Sequence, residues 1–263
     1  MSEKHDIQVR LLSSAQFTKG KQAMKDSFDK VFAKKEKVLV VLAHPDDAEI
    51  VCGGTIARLT DSKKKVRLVV TTDGAKGTHD KEIDHESFRK SRIEDMFEGG
   101  EKLGLERSEI FNLEIGDGEV ENTVDNIGKI AYHIREFKPD IVITHNPEDT
   151  LIPVYDQNTG WVNHRDHLIT GQLVCFAAYP YARDHAFFPE QIKKGLKGHT
   201  VKELLFADFY RRPEVLYFNI DNYTQKKKEA ISRHFVPEDA EEYLEENKME
   251  GGYFEPLGYY KVY

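Results

Sequence analysis

Cysteine is scarce in this chain: Cys52 and Cys175 are the only two in 263 residues. Two such distant thiols build neither a disulfide framework nor a cysteine-rich metal site. They leave room for one disulfide, but a reducing compartment is the simpler expectation. Long apolar runs are missing as well. No stretch reaches the roughly 20 residues that a membrane-spanning helix needs. The opening MSEKHDIQVR lacks the apolar centre of a secretory signal. Cytoplasmic residence without membrane insertion is therefore expected. Basic charge is not in excess either: the formal net charge is −8, and no basic patch is interleaved with aromatics, so nucleic acid is not an expected partner. The clusters Lys34-Lys35-Lys37, Lys63-Lys64-Lys65 and Lys226-Lys227-Lys228 read as solvated helix ends.

What is present is the composition of a globular protein, with 39% apolar and 32% charged residues. The length suits one large α/β domain or two small ones, and no Pro/Gly/Ser-rich linker or repeat divides it. Residues 1–37 read as an N-terminal extension whose stretch from about Lys19 to Lys35 carries Met24, Phe28, Val31 and Phe32 at helical spacing. Residues 38–263 read as the main domain. Apolar runs at Val38–Ala43, Val66–Thr71, Ile110–Leu113 and Asp140–Thr144 alternate with helical patterns at Ile50–Leu59, Arg89–Leu103 and Thr123–Phe137. That alternation predicts an α/β fold, a mostly parallel central sheet covered by helices. Two later runs, Glu203–Phe209 and Glu214–Asn219, should extend the sheet. A helix around Leu244 should precede the aromatic tail GGYFEPLGYYKVY, whose rings suit the core or an oligomer interface.

Two segments carry chemistry. The first is His44-Pro45-Asp46-Asp47, at the end of a buried strand. If a helical turn begins there, His44 and Asp47 face one point while Asp46 points elsewhere, free to act on water; Glu49 lies close enough to hydrogen-bond nearby. A turn followed by the acidic first residues of a helix accounts for the same letters. The second segment is Asn163-His164-Arg165-Asp166-His167. Asn163 suits a helix cap, His164 and His167 fall on neighbouring turns of one face, and Asp166 suits a capping arrangement. A solvent-facing helix with incidental histidines is its bland alternative. In a parallel sheet both segments would meet in the crevice beyond the strand ends. Asp73, Lys76, Arg89 and Arg92 suit a substrate rim. His79 and His85 suit a weaker alternative site, His145 a structural role or one supporting the ligands from behind, and His234 an approach from the C-terminal region. TDGAKG at Thr72–Gly77 is neither a P-loop nor a dinucleotide fingerprint.

Taken together, AHPDDAEI at Ala43–Ile50 and NHRDH at Asn163–His167 resemble the LmbE-like, or PIG-L, family of zinc-dependent N-deacetylases. TDGAKG, DGE at Asp117–Glu119 and PDIVITHNP at Pro139–Pro147 fit the family's layout, and the resemblance runs from Val38 to about Asn222. It implies a Rossmann-like three-layer fold and a Zn2+ ion on His44, Asp47 and His167. It also implies Asp46 as general base, His164 beside the reacting carbonyl, and Asp166 orienting His164. Two departures stand out. Many relatives carry a glutamate where this chain has Ala75-Lys76, and the familiar His-Pro-Asp-His form is His164-Arg165-Asp166-His167 here. The implied activity is removal of an N-acetyl group from an amino sugar or sugar conjugate, with room for a homo-oligomer. A zinc-dependent amidase or phosphoesterase acting on a non-sugar compound is the alternative, and a non-catalytic carbohydrate-binding protein is the other class.

Overall fold

The computed structural model describes residues 24–153, 160–207 and 214–262. In chain order its elements are α1 (Phe28–Phe32), β1 (Lys37–Leu42), α2 (Asp47–Asp61), β2 (Lys65–Thr72), α3 (His85–Lys102) and β3 (Ile110–Ile115). They continue with α4 (Val124–Phe137), β4 (Ile141–Thr144), β5 (Leu151–Pro153), β6 (Gly160–Val162), α5 (Arg165–Phe176) and α6 (Pro189–Lys193). The last group is β7 (Glu203–Phe206), β8 (Val215–Asn219), α7 (Thr224–Ile231), α8 (Pro237–Glu245), β9 (Lys248–Met249) and β10 (Gly252–Lys261). The main sheet runs β3-β2-β1-β4-β7-β10-β8. The first five strands are parallel, and β10 lies antiparallel between β7 and β8.

Both faces of the central strands β1 and β4 are buried, and that follows from their sequences. With a side-chain period of two, a strand buried on both sides must be apolar at every position. Val38, Val40 and Leu42 join one core with Leu68, Val70, Ile141 and Ile143, to which α1, α2, α3 and α7 contribute. Leu39 and Val41 join the opposite core with Val69 and Val142, covered by α4 and α5. This is the α/β three-layer, Rossmann-like arrangement that the alternating runs predict. The strand order reverses between β1 and β4, which places the crevice where ligands bind in such sheets at their carboxyl ends. Among the described residues, no helix is long and apolar enough to cross a membrane.

Two expectations are corrected, and the tail gains a strand that the sequence reading did not assign. The helix expected from about Lys19 is one short element, α1, within the described residues; Met24 precedes it, and 19–23 lie outside them. Phe28, Val31 and Phe32 nevertheless pack into the core, so the spacing identified the buried face if not the length. The lysine cluster at 226–228 is not uniformly solvated: Lys227 is fully buried and pairs with Glu255, also fully buried. The aromatic tail forms β10, an inner strand. Pro256 disguises it, because proline donates nothing to a ladder. The pairings show why it fits: at Pro256 the strand pairs with β8, whereas pairing with β7 begins at Gly258.

Candidate metal centre and active site

His44 leaves the sheet at the end of β1, and the chain turns at once. Asp47 N–H donates to the His44 carbonyl (3.2 Å), which starts α2. The Asp47 carboxylate bends back to accept from the backbone amides of His44 (2.7 Å) and Ala43 (3.1 Å) through Oδ2. Asp46, one residue earlier, accepts from Arg92 Nη2 on its Oδ2 at 2.9 Å. Asp47 thus faces the His44 and His167 donors, while Asp46 is held by Arg92.

The second segment arrives from α5. His164, not Asn163, caps this helix: its Nδ1 accepts the backbone N–H of Asp166 (3.2 Å). Asn163 instead donates its side-chain amide to the Asp149 carbonyl. An imidazole nitrogen that accepts at Nδ1 must carry its proton on Nε2, so a neutral His164 has an Nε2–H donor. Asp166 does not close a capping box. Its carboxylate accepts the amides of Gly118 (2.7 Å) and Val120 (3.3 Å), pinning the turn after β3 against α5.

Three donor groups converge between the segments. His44 Nδ1 lies 3.1 Å from His167 Nε2 and 3.4 Å from Asp47 Oδ2, while His167 Nε2 lies 3.3 Å from Asp47 Oδ1. A tetrahedral ion with ligand bonds of about 2.0–2.1 Å separates its donors by about 3.3–3.4 Å. The spacing and the His/His/Asp chemistry therefore fit zinc, and three protein ligands leave one coordination position open. A second cluster, His44 with His164 and Asp166, adjoins the first.

Electrostatics point the same way. Burial opposes charge on His44, yet hydrogen bonds to Asp117, Asp166 and Asp47 outweigh it and push the imidazole up to about 12. Burial likewise opposes ionisation of Asp47, but His167 and His145 hold it well below the usual carboxylate range. The pocket selects positive charge, which a divalent cation supplies. His164 is shifted down, first by burial and then by His44 and His167, which disfavours its imidazolium.

Two further residues support the donors. His145, at the end of β4 as His44 is at the end of β1, takes the place behind a ligand that its sequence position suggests, whereas the sequence assigns Asp117 no role. The Nε2 of His145 lies 3.1 Å from Asp47 Oδ2, and its ring stacks on His167 with centroids 4.0 Å apart. Asp117, from the turn after β3, approaches His44 Nε2 to 3.4 Å. Their equivalent position beyond neighbouring strand ends was the available signal. Lys76 and Asp73 turn out to brace this turn: Lys76 N–H donates to Asp117 Oδ2 and Asp117 N–H to Asp73 Oδ1. Arg89 pairs with Glu114. His79 and His85 are exposed and belong to neither donor cluster.

Comparison with known proteins agrees with this geometry. The family model described as PIG-L, GlcNAc-PI de-N-acetylase, matches residues 39–178. The chain belongs to the PIG-L family. The diacetylchitobiose deacetylase of Thermococcus kodakarensis is 31% identical over 220 residues, which is 81% of this chain and 75% of that protein. A 1D-myo-inositol 2-acetamido-2-deoxy-alpha-D-glucopyranoside deacetylase of Segniliparus rotundus is 28% identical over 192 residues, 60% of this chain and 56% of that one. The N,N'-diacetylchitobiose deacetylase structure from Pyrococcus horikoshii superimposes with a TM-score of 0.73 at 24% identity, covering 89% and 87% of the two chains. That likeness establishes the shared fold. As a PIG-L protein with a buried His/Asp cluster suited to metal-dependent hydrolysis, the chain is an enzyme of the deacetylase type.

Proposed function

We propose that this enzyme hydrolyses the N-acetyl group of an amino sugar or short glycoconjugate, releasing acetate and a free amine. The observation that carries the reading is the convergence of His44, Asp47 and His167 donor atoms at 3.1–3.4 Å at the crevice of a PIG-L fold. The sugar part rests on the relatives, two of which are named for deacetylation of acetylated amino sugars. In this reading His44, Asp47 and His167 hold zinc, which supplies Lewis acidity to the acyl carbonyl and a lowered pKa to attacking water. Asp46, held through Oδ2 by Arg92, keeps Oδ1 to accept the proton of that water as the C–O bond forms. His164 offers Nε2–H to the carbonyl oxygen as it gains negative charge. Breaking the C–N bond then returns a proton to the amine, and water's oxygen leaves in acetate.

The test is product identification with zinc-loaded protein. N,N'-diacetylchitobiose and simple N-acetylglucosamine conjugates should yield acetate and amine in equal amounts. Simple non-sugar amides should react far more slowly. Phosphate release from phosphate esters without any carboxylate product would replace the proposal with phosphoesterase chemistry.

A further inference from the structure

Behind Asp46 lies a second, enclosed set of polar groups that the proposed reaction does not use. Arg92, from α3, reaches Asp46 with Nη2 (2.9 Å) and His234 Nδ1 with Nη1 (3.3 Å). His234 follows α7, and its Nε2 faces Glu49 Oε1 of α2 at 3.8 Å. Both the His234 and Glu49 side chains are fully enclosed. His234 Nε2 and both Glu49 carboxylate oxygens have no hydrogen-bond partner. Leaving such groups buried and unsatisfied is unfavourable, so a core chosen for stability alone would hold apolar side chains here. The surrounding chain makes room for them. A Cβ at Gly99 of α3 would collide with Glu49 Oε1, and one at Gly74 would lie 2.8 Å from Pro45 Cδ and 3.3 Å from Arg92 Nε.

We infer that His234 and Glu49 are positioning residues that set the Arg92 guanidinium against Asp46, an inference resting on the reading of Asp46 as the base. His234 accepts on the arm of Arg92 opposite Asp46, which fixes the rotation of the planar guanidinium. Glu49 stands on the far side of the His234 ring and favours the tautomer protonated at Nε2, leaving Nδ1 as the acceptor. Three residues that are not metal ligands, Arg92 on α3, His234 in the α7–α8 turn and Glu49 on α2, thereby determine where the Asp46 carboxylate sits. Displacing a reacting group by about 1 Å can lower a rate 100-fold.

The experiment compares His234→Phe, which keeps ring volume but removes both nitrogens, with His234→Asn, which keeps an acceptor where Nδ1 stands. In zinc-loaded protein acting on N,N'-diacetylchitobiose, H234F should lose at least about 10-fold in kcat with KM within about 2-fold, and H234N should recover most of that loss. Zinc content should stay at the parental value in both. Nitrogen NMR of the Arg92 guanidinium, recorded without substrate, should show restrained rotation in the parent and H234N and release in H234F. Should H234F fail to fold, the E49Q/H234F double variant removes the carboxylate that the phenylalanine would face and serves the same comparison. Unchanged kcat in the phenylalanine variant, parallel loss of zinc and turnover, failure of asparagine to restore the rate, or unchanged guanidinium restraint would overturn the inference. If the parent deacetylates no amino sugar, the functional reading fails instead, and the NMR comparison still decides the positioning role.

Discussion

Lys227→Met isolates the buried ion pair that α7 and β10 place against the middle of α2. This helix contains a break: Cys52 has φ −149° and ψ 21°, outside the helical region. Both sides of the break are met from outside. Lys227 Nζ donates to the Ile50 carbonyl (2.7 Å), and Glu255 accepts the amides of Gly54 (2.8 Å) and Thr55 (2.7 Å). The two side chains pair at 2.7 Å with no exposure. Methionine keeps most of the aliphatic stem, so packing changes little, but Glu255 is left buried without its counter-charge. Removing one partner of such a pair destabilises by about 3–5 kcal/mol. The double variant K227M/E255Q removes both charges and retains one carbonyl acceptor for the two amides, so about 1–3 kcal/mol of loss should remain. Urea unfolding of parent, single and double variants, with equal m values, measures both numbers. A single-variant loss below about 1 kcal/mol would refute the reasoning, as would a double variant less stable than K227M.

Two other sets of variants test the site and its surroundings. D47A and H167A should lose zinc while remaining folded, whereas D46N should keep zinc and lose about 100-fold or more in turnover; equilibrium dialysis and acetate release separate these outcomes, and near-parental turnover by zinc-bound D46N would remove Asp46 as the base. His133 is buried, and burial, followed by the nearby Arg67 charge, lowers it from 6.5 to about 4. Between those values the unfolded chain binds a proton that the folded chain declines, so its contribution is complete above pH 6.5 and fades as pH falls toward 4. Relative to H133F, the parent should therefore lose about 2 kcal/mol more stability on going from pH 7.5 to pH 5; parallel pH profiles in urea unfolding would contradict the assignment.

The readings that succeeded share a physical property: each depended on residues close together in the chain. An all-apolar run such as Val38–Ala43 can be only a doubly buried strand or a buried helix, and the turn residues that follow decide between them. The His44–Asp47 spacing needs a single turn to bring both donors to one side. His167 needed more, because nothing local ties it to His44, 123 positions earlier. Only the placement of both segments beyond the strand ends joins them, and the family pattern supplied that link.

Where sequence reasoning fell short, the deciding partner lay far away. Lys227 stands in a run of three lysines and looks solvated, and only Glu255 on β10 makes its burial tolerable. That strand was itself hidden by Pro256, whose missing N–H matters only in relation to which neighbours lie beside it. Asn163 is a better cap than histidine by local preference. The loop carbonyl of Asp149 claims its side chain, and His164 takes the cap with a nitrogen that then directs its remaining proton outward. The same logic applies to Asp46. It belongs to neither donor cluster. Its precise placement comes from Arg92, 46 positions away, and through it from His234, a further 142 positions along. A metal centre of this type can thus be read from two short motifs, while the setting of Asp46, the proposed proton acceptor, is written in the tertiary contacts of three separate elements.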